Sequence, residues 1–263
     1  MNDLAVRAEG LGKRFLVLRS QRTALRALSA FLSGESLKRE LWVLRDFSIR
    51  IPRGAKLALI GRNGSGKTTF LRLLSGIWEP TCGRLAVSSR PRPMFSAEVG
   101  FTRELSVIEN AFLFGAVHGI GRRDLAPKLG DLLAKIGLED LAHVPLKDLS
   151  TGQVQRLALS IFAESDADLV IFDEVLRNVD LGFLREADRY FRSLASSSRT
   201  VIMTSHDTEF LRAYCTTAVW LDGGRVRLSG DFESVVAEYE RSFDPPSLAP
   251  APPAPPRIAA VRA

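Results

Sequence analysis

Apolar and polar positions along the 263-residue chain follow two rhythms that divide it into regions. Residues 4–9 and 14–18 have the make-up of short strands around a Gly10/Gly12 turn, and residues 47–51 and 56–60 are two more strand candidates separated by Pro52-Arg53-Gly54. The run at 56–60, Lys-Leu-Ala-Leu-Ile, is almost continuously apolar, as expected of a strand buried on both faces. Between these strands, Leu25, Leu28, Phe31 and Leu32 recur at helical spacing from Ala24 until Gly34 interrupts them. A helix is expected from Thr69 to Leu74. From about 106 to 165 the pattern is mainly helical, clearest over 107–117 and 125–136, with Gly121, Gly137 and Pro145 as punctuation. Strand-like runs return at 169–172, 200–204 and 218–221, with helical segments between them. Strands alternating with helices predict an α/β core with a largely parallel sheet, into which a helical subdomain is inserted at about 102–165.

Composition adds bounds to this picture. At 46% hydrophobic and 25% charged residues the chain can bury a sizeable core. No apolar run approaches the ~20 residues needed to cross a bilayer, and the first residues lack the layout of a secretory signal. Two cysteines far apart, Cys82 and Cys215, point to a reducing compartment rather than a disulfide framework. Residues 1–53 hold eleven Arg or Lys against five Asp or Glu, a surplus equal to the formal net charge of +6 for the whole chain. Such a face can lie near anionic lipid or nucleic acid, or consist simply of scattered, solvated cations. The last twenty residues, 244–263, contain seven prolines and read as a tail without regular structure, set apart from a domain at 1–243.

The candidate chemistry starts immediately after the strand at 56–60. Gly61-Arg62-Asn63-Gly64-Ser65-Gly66-Lys67-Thr68 has the spacing G-x-x-x-x-G-K-[ST], placed between a buried strand and a helix. Glycines let successive backbone N–H groups turn inward around phosphates, and the helix start adds its positive dipole end. Lys67 supplies a point charge to the β- and γ-phosphates, and the Thr68 hydroxyl part of a Mg²⁺ shell; Thr69 opens the helix beside them. About a hundred residues on, four apolar residues lead into Asp173 and Glu174. Asp173 is placed to hold Mg²⁺, and Glu174 to orient or deprotonate the attacking water. Ser150, Thr151, Gly152 and Gln153 precede a helical stretch from Val154, where Ser150 either caps that helix or joins Gly152 in an anion site. His206 follows the strand-like 201–205; it is either a structural histidine or a hydrogen-bond donor to the γ-phosphate.

These elements, in this order, resemble the nucleotide-binding domain of ATP-binding cassette (ABC) proteins over about residues 4–240. The resemblance implies a P-loop NTPase fold with an N-terminal antiparallel β portion, and ATP with Mg²⁺ as its cofactors. It also implies that Ser150, Gly152 and Gln153 face the phosphate loop of a second copy, so that two ATPs are sandwiched in a homodimer. Asp180, seven residues after Asp173, falls at the family's D-loop acid. Phe15 falls where an aromatic residue stacks on adenine, with Trp42 as a rival. A closer resemblance, to exporters of capsule, O-antigen or teichoic acid, rests on several local features. These are the long insertion before Trp42-Val43-Leu44-Arg45-Asp46-Phe47-Ser48, then Gly100-Phe101 followed by Glu104-Leu105-Ser106-Val107-Ile108-Glu109-Asn110, and Asp173-Glu174-Val175-Leu176. It implies an ATPase subunit at the cytoplasmic face of the membrane that drives a separate permease, with no nucleic-acid partner. A soluble ABC ATPase acting on nucleic acid or ribosomes, and a non-hydrolysing regulator, are the alternatives. The chain departs from the family at two places. The Gln-loop glutamine is missing, with Ser96 or Glu98 in its stead, and Arg177-Asn178-Val179 is bulkier than the family's small residues.

Overall fold

The computed structural model describes residues 3–18, 38–95, 99–174 and 181–243. The helix expected from Ala24, the Gln-loop candidates Ser96 and Glu98, the segment Arg177-Asn178-Val179 with Asp180, and the tail at 244–263 all lie outside the described residues.

Strands β1 (Leu4–Leu18) and β2 (Lys38–Pro52) pair antiparallel along their length, and β4 (Cys82–Val87) joins the other edge of β1. The two strands expected at 4–9 and 14–18 are therefore one. The Gly10/Gly12 region is not a chain reversal but a set of register shifts between Ala8 and Arg14. Bulges absorb the extra residues, and Gly10, at φ +55°, keeps the ladder running by donating its N–H to Ser48 Oγ. Glycine composition suggested a turn; pairing with two neighbours on one strand prevailed.

A six-stranded sheet forms the core in the order β5 (Arg92–Met94), β6 (Leu169–Asp173), β7 (Thr200–Thr204), β3 (Lys56–Ile60), β8 (Thr217–Asp222) and β9 (Arg225–Asp231). The first five run parallel, and β9 turns back on β8. Every residue of β3, β6 and β7 is buried, which is why these runs are apolar throughout rather than alternating. Alternate residues nevertheless serve different layers. Leu57, Leu59, Ile171 and Ile202 face the antiparallel sheet and helix α1 (Lys67–Leu74), packing on Phe47, Phe70 and Leu71. Ala58, Ile60, Phe172 and Met203 face the opposite way, toward helices α2 (Val107–Val117), α3 (Arg122–Lys135) and α4 (Thr151–Ala163), with Phe114 and Phe162 in the same cluster.

The helical portion is fixed to its entry loop by Asn110, which is fully buried. Its Nδ2 donates to the carbonyls of Thr102, Leu105 and Ser106, and its Oδ1 accepts from Thr102 N–H. Ser106 and Glu109 close a capping box at the start of α2. Helices α5 (Leu181–Ser196), α6 (Thr208–Tyr214) and α7 (Phe232–Arg241) complete the fold. Because the core strands are parallel, their carboxyl ends share one edge, where ligands of open α/β sheets bind. Gly61, Glu174 and Ser205 all follow strands that end on that edge.

Candidate functional site

The loop after β3 turns through glycines at positive φ, where a side chain would be strained. Gly61 sits at φ +145°, and a Cβ there would come within 2.3 Å of the Leu221 carbonyl oxygen and 2.8 Å of Ser65 Oγ. Gly66, at φ +107°, is the N-cap of α1; a Cβ on it would lie 2.7 Å from Leu44 Cδ2. Gly64, also at positive φ, has nothing within 4 Å of its missing Cβ, so the loop is packed from behind and open in front. A second clasp comes from the β8–β9 turn. Gly224 N–H donates to the Ser65 carbonyl at 3.1 Å, and its own carbonyl accepts from Arg45 N–H at 3.0 Å, tying the loop to β2. Gly61→Ala is expected to cost more than about 1 kcal/mol in a denaturant titration, because strain at positive φ and a backbone clash act together. An unchanged midpoint would show that the loop yields.

Lys67 opens α1 with its side chain buried, and its Nζ donates to the carbonyls of Gly61 at 2.6 Å and Arg62 at 3.2 Å. Burial lowers its pKa below the usual lysine value, while the nearby carboxylates of Glu174 and Asp173 pull it back up. Ser65 Oγ is buried and has no hydrogen-bond partner among the described residues. Asn63, Gly64 and Thr68 are exposed, and Thr69 is half-buried. A buried ammonium, an orphaned hydroxyl and an open glycine-lined front make a cradle suited to a polyphosphate.

The acidic pair stands two strands away. Parallel pairing sets Asp173 of β6 beside Thr204 of β7, and the Thr204 hydroxyl donates to Asp173 Oδ1 at 2.5 Å. Glu174 is one of two described non-glycine residues at positive φ, +56°, and its N–H donates to the Thr204 carbonyl at 3.1 Å. That left-handed kink turns the carboxylate toward His206, whose Nε2 lies 2.7 Å from Glu174 Oε1. The pair is partly open to solvent, with side-chain exposures of 24% for Glu174 and 47% for His206. Next in sequence, Asp207 N-caps α6 through Phe210 N–H and so fixes the turn that carries His206.

A divalent ion fits this donor set. Asp173 keeps one carboxylate oxygen beyond the Thr204 bond, and the Thr68 hydroxyl is accessible. Among the described residues there is no cluster of three or more His, Cys, Asp or Glu. An ion held by few protein ligands, completed by water and phosphate oxygens, is the pattern Mg²⁺ favours.

Other candidates stand apart from this cluster. Ser150 is exposed at the start of α4, where it accepts from Gln153 N–H at 3.3 Å while Gln153 Oε1 accepts from Ser150 N–H at 2.9 Å. This is a complete capping box, so the capping role holds. Ser150, Gly152 and Gln153 make no hydrogen bond or ion pair to Gly61–Thr68 among the described residues. Phe15 and Trp42 point to opposite faces of the β1–β2 ribbon, because Phe15 pairs with Leu41 and Arg14 with Trp42. Phe15 packs edge-on against Trp78, 4.9 Å between centroids, with Lys13 Nζ 5.2 Å from the Phe15 ring; Trp42 lies under Arg14 at 5.6 Å. Sequence reasoning missed Trp78 and Gly224. A Gly-Gly pair in a hairpin turn was a visible signal for the second; nothing in sequence marks the first.

Residues 44–177 match the family model described as "ABC transporter". The chain is 31% identical to the ABC transporter protein AbcA of Aeromonas salmonicida, over 92% of this chain and 77% of that one. It is 30% identical to the O-antigen export system ATP-binding protein RfbB of Myxococcus xanthus, over 84% and 54%. It is 28% identical to the teichoic acids export ATP-binding protein TagH of Lactococcus lactis, over 91% and 51%. The chain thus spans about half the length of the last two relatives. A dimeric ATP-binding cassette solved in a post-hydrolysis state with ADP and Pi shares the fold, with a TM-score of 0.67 at 17% identity over 86% of this chain and 98% of that one.

Proposed function

The chain belongs to the ABC transporter family, and we propose that its ATP turnover drives export of a cell-surface polysaccharide through a separate membrane permease. It binds ATP with Mg²⁺ and hydrolyses it. The observation that carries the site reading is the convergence at one sheet edge of the Gly61–Thr68 cradle, Asp173, and the Glu174–His206 pair at 2.7 Å.

In this reading the backbone of Gly61, Asn63, Gly64, Ser65 and Gly66 surrounds the phosphates, and Lys67 leaves its two carbonyls to meet the β- and γ-oxygens. Thr68 and Asp173 would hold Mg²⁺, which supplies charge neutralisation across those oxygens. Thr69 supports the phosphate end from the first turn of α1, and Phe15 carries the adenine. Glu174 takes the proton of the attacking water, while His206 orients the Glu174 carboxylate and senses the γ-phosphate. Glu174 suits this role because its strained backbone holds the carboxylate at the sheet edge beside the cradle.

We further propose that the exposed start of α4, with Ser150, Gly152 and Gln153, completes the site of a second copy, together with Asp180. A capping box leaves the helix dipole and the outward N–H groups free to face an anion. The working unit is then a homodimer at the cytoplasmic face of the membrane, carried by the permease. No helix among the described residues is long and apolar enough to cross a bilayer. Two of the relatives above are named for export of O-antigen and teichoic acids, which favours surface-polymer transport over action on nucleic acid or a purely regulatory role.

The test is made in cells. Replacing the chromosomal copy with one encoding Glu174→Gln is expected to remove the polysaccharide from the surface and accumulate it, lipid-linked, inside, as read by surface staining and extraction of the membrane fraction. Unchanged surface polymer alongside lost ATPase activity would sink the export reading.

A further inference from the structure

The lip of the phosphate loop is bare. Arg62, Asn63 and Gly64 are all exposed, and the open side of Gly64 faces nothing within 4 Å. One side-chain contact among the described residues buttresses it. The Arg62 guanidinium lies over the ring of Phe243, with Cζ 4.8 Å from the ring centroid. Arg62 makes no ion pair or side-chain hydrogen bond among the described residues, so this ring is what holds its charge in place.

Phe243 is itself firmly placed. Its N–H donates to the Glu240 carbonyl at 2.9 Å, just beyond α7. Its ring stands edge-on against Tyr239 at 4.8 Å, and Tyr239 stands edge-on against Trp220 at 5.4 Å. Trp220 is a core residue of β8, 3% exposed, next to the Leu221 whose carbonyl packs behind Gly61. Three aromatic rings therefore run from the core strand to Arg62. Hydrophobic burial does not account for the last of them, since Phe243 is 49% exposed. A phenyl ring held in solvent by the fold, with a guanidinium on its face, is a cation–π contact.

The Arg62 backbone connects this contact to the nucleotide. Its carbonyl accepts from Ser65 N–H at 3.1 Å and from Lys67 Nζ at 3.2 Å, so the position of residue 62 fixes part of the Lys67 cradle. We propose that Phe243 is a positioning residue of the nucleotide site: by holding Arg62 it pre-shapes the phosphate loop, and the end of α7 thereby sets ATP affinity. This rests on the ATP-site reading above. The mechanism is pre-organisation, since a loop already held in its binding shape loses less freedom when the phosphates arrive.

A cation–π contact at an exposed site limits the effect to roughly two- to five-fold in the dissociation constant. Phe243→Ala is expected to weaken binding of a fluorescent ATP analogue by that factor, and to raise KM more than it lowers kcat. Phe243→Tyr restores affinity, whereas Phe243→Leu, which keeps apolar bulk without a π face, behaves like the alanine variant. In an Arg62→Ala background, Phe243→Ala has no further effect. Additive losses in the double variant, or leucine serving as well as phenylalanine, would overturn the proposal, and so would unchanged affinity in Phe243→Ala. Lys67→Ala serves as the separate control. If that variant binds the analogue normally, the ATP-site reading itself fails, whereas normal loss there with no Phe243 effect condemns the latch alone.

Discussion

Glu174→Gln is expected to lower ATP turnover by at least ~100-fold, the low end of what a positioned general base contributes, while ATP stays bound. The substitution is nearly isosteric, and the features that place the side chain survive it. The backbone at φ +56° is set by the Glu174 N–H bond to the Thr204 carbonyl, and Gln retains a carbonyl oxygen where Oε1 meets His206 Nε2 at 2.7 Å. Only basicity and charge are lost. Loss of a carboxylate charge near Lys67 also removes repulsion toward the phosphates, so affinity should hold or improve. If two copies enclose the nucleotide, the variant with ATP and Mg²⁺ should elute as a dimer in size-exclusion chromatography, and adding Gly152→Asp should return it to a monomer. Phosphate release at the unaltered rate would remove Glu174 from the base role. Lost turnover with no dimer would leave the base in place and count against the sandwich.

The core strands and the phosphate loop were legible in sequence for one physical reason: both are locally determined. A strand buried on both faces must be apolar throughout, so 56–60, 169–172 and 200–204 could be placed within a residue of β3, β6 and β7. Likewise, glycine spacing reports backbone angles directly, and Gly61, Gly64 and Gly66 do adopt positive φ. The helix at 107–117 coincides with α2, since its capping box and apolar face are both written in neighbouring residues. What stayed hidden depends on distant partners. β4 and β9 are mostly exposed and lack an apolar signature; they are strands because β1 and β8 offer them edges. The single bulged β1 carries the sequence signature of two strands because its register is set by β2 and β4 together. In the site, Asp173 and Glu174 could be named from an apolar run ending in acid. Their pairing with Thr204 and His206 needed the β6–β7 register, and the contacts of Trp78 with Phe15 and Phe243 with Arg62 join residues over 60 and 180 positions apart.

Lys67→Met is expected to separate binding from stability, with ATP affinity falling ~100-fold or more and the fold unharmed. The ammonium is buried against Gly61 and Arg62 carbonyls, and burial holds its pKa below the ordinary lysine value. The sign of the consequence follows from that direction. A lysine whose folded pKa is lowered binds its proton less well folded than unfolded, so keeping it charged opposes folding below the folded pKa, a penalty that fades as pH rises to the unfolded value. Methionine removes that penalty and fills the space with an adaptable apolar chain, although the two carbonyls lose a donor. These terms oppose each other, so the thermal midpoint should hold or rise rather than drop. Binding has no such offset, because the β- and γ-phosphates lose a charge-assisted donor inside the cradle, worth more than a neutral hydrogen bond. Isothermal titration with ATP and a thermal melt on the same preparation measure both. A variant that melts well below the parent would mean Lys67 holds the loop together, and one that binds ATP as tightly as the parent would mean the phosphates sit elsewhere. A stable chain that has lost its nucleotide is the outcome expected of a residue kept in the loop for the ligand, at some cost to the fold.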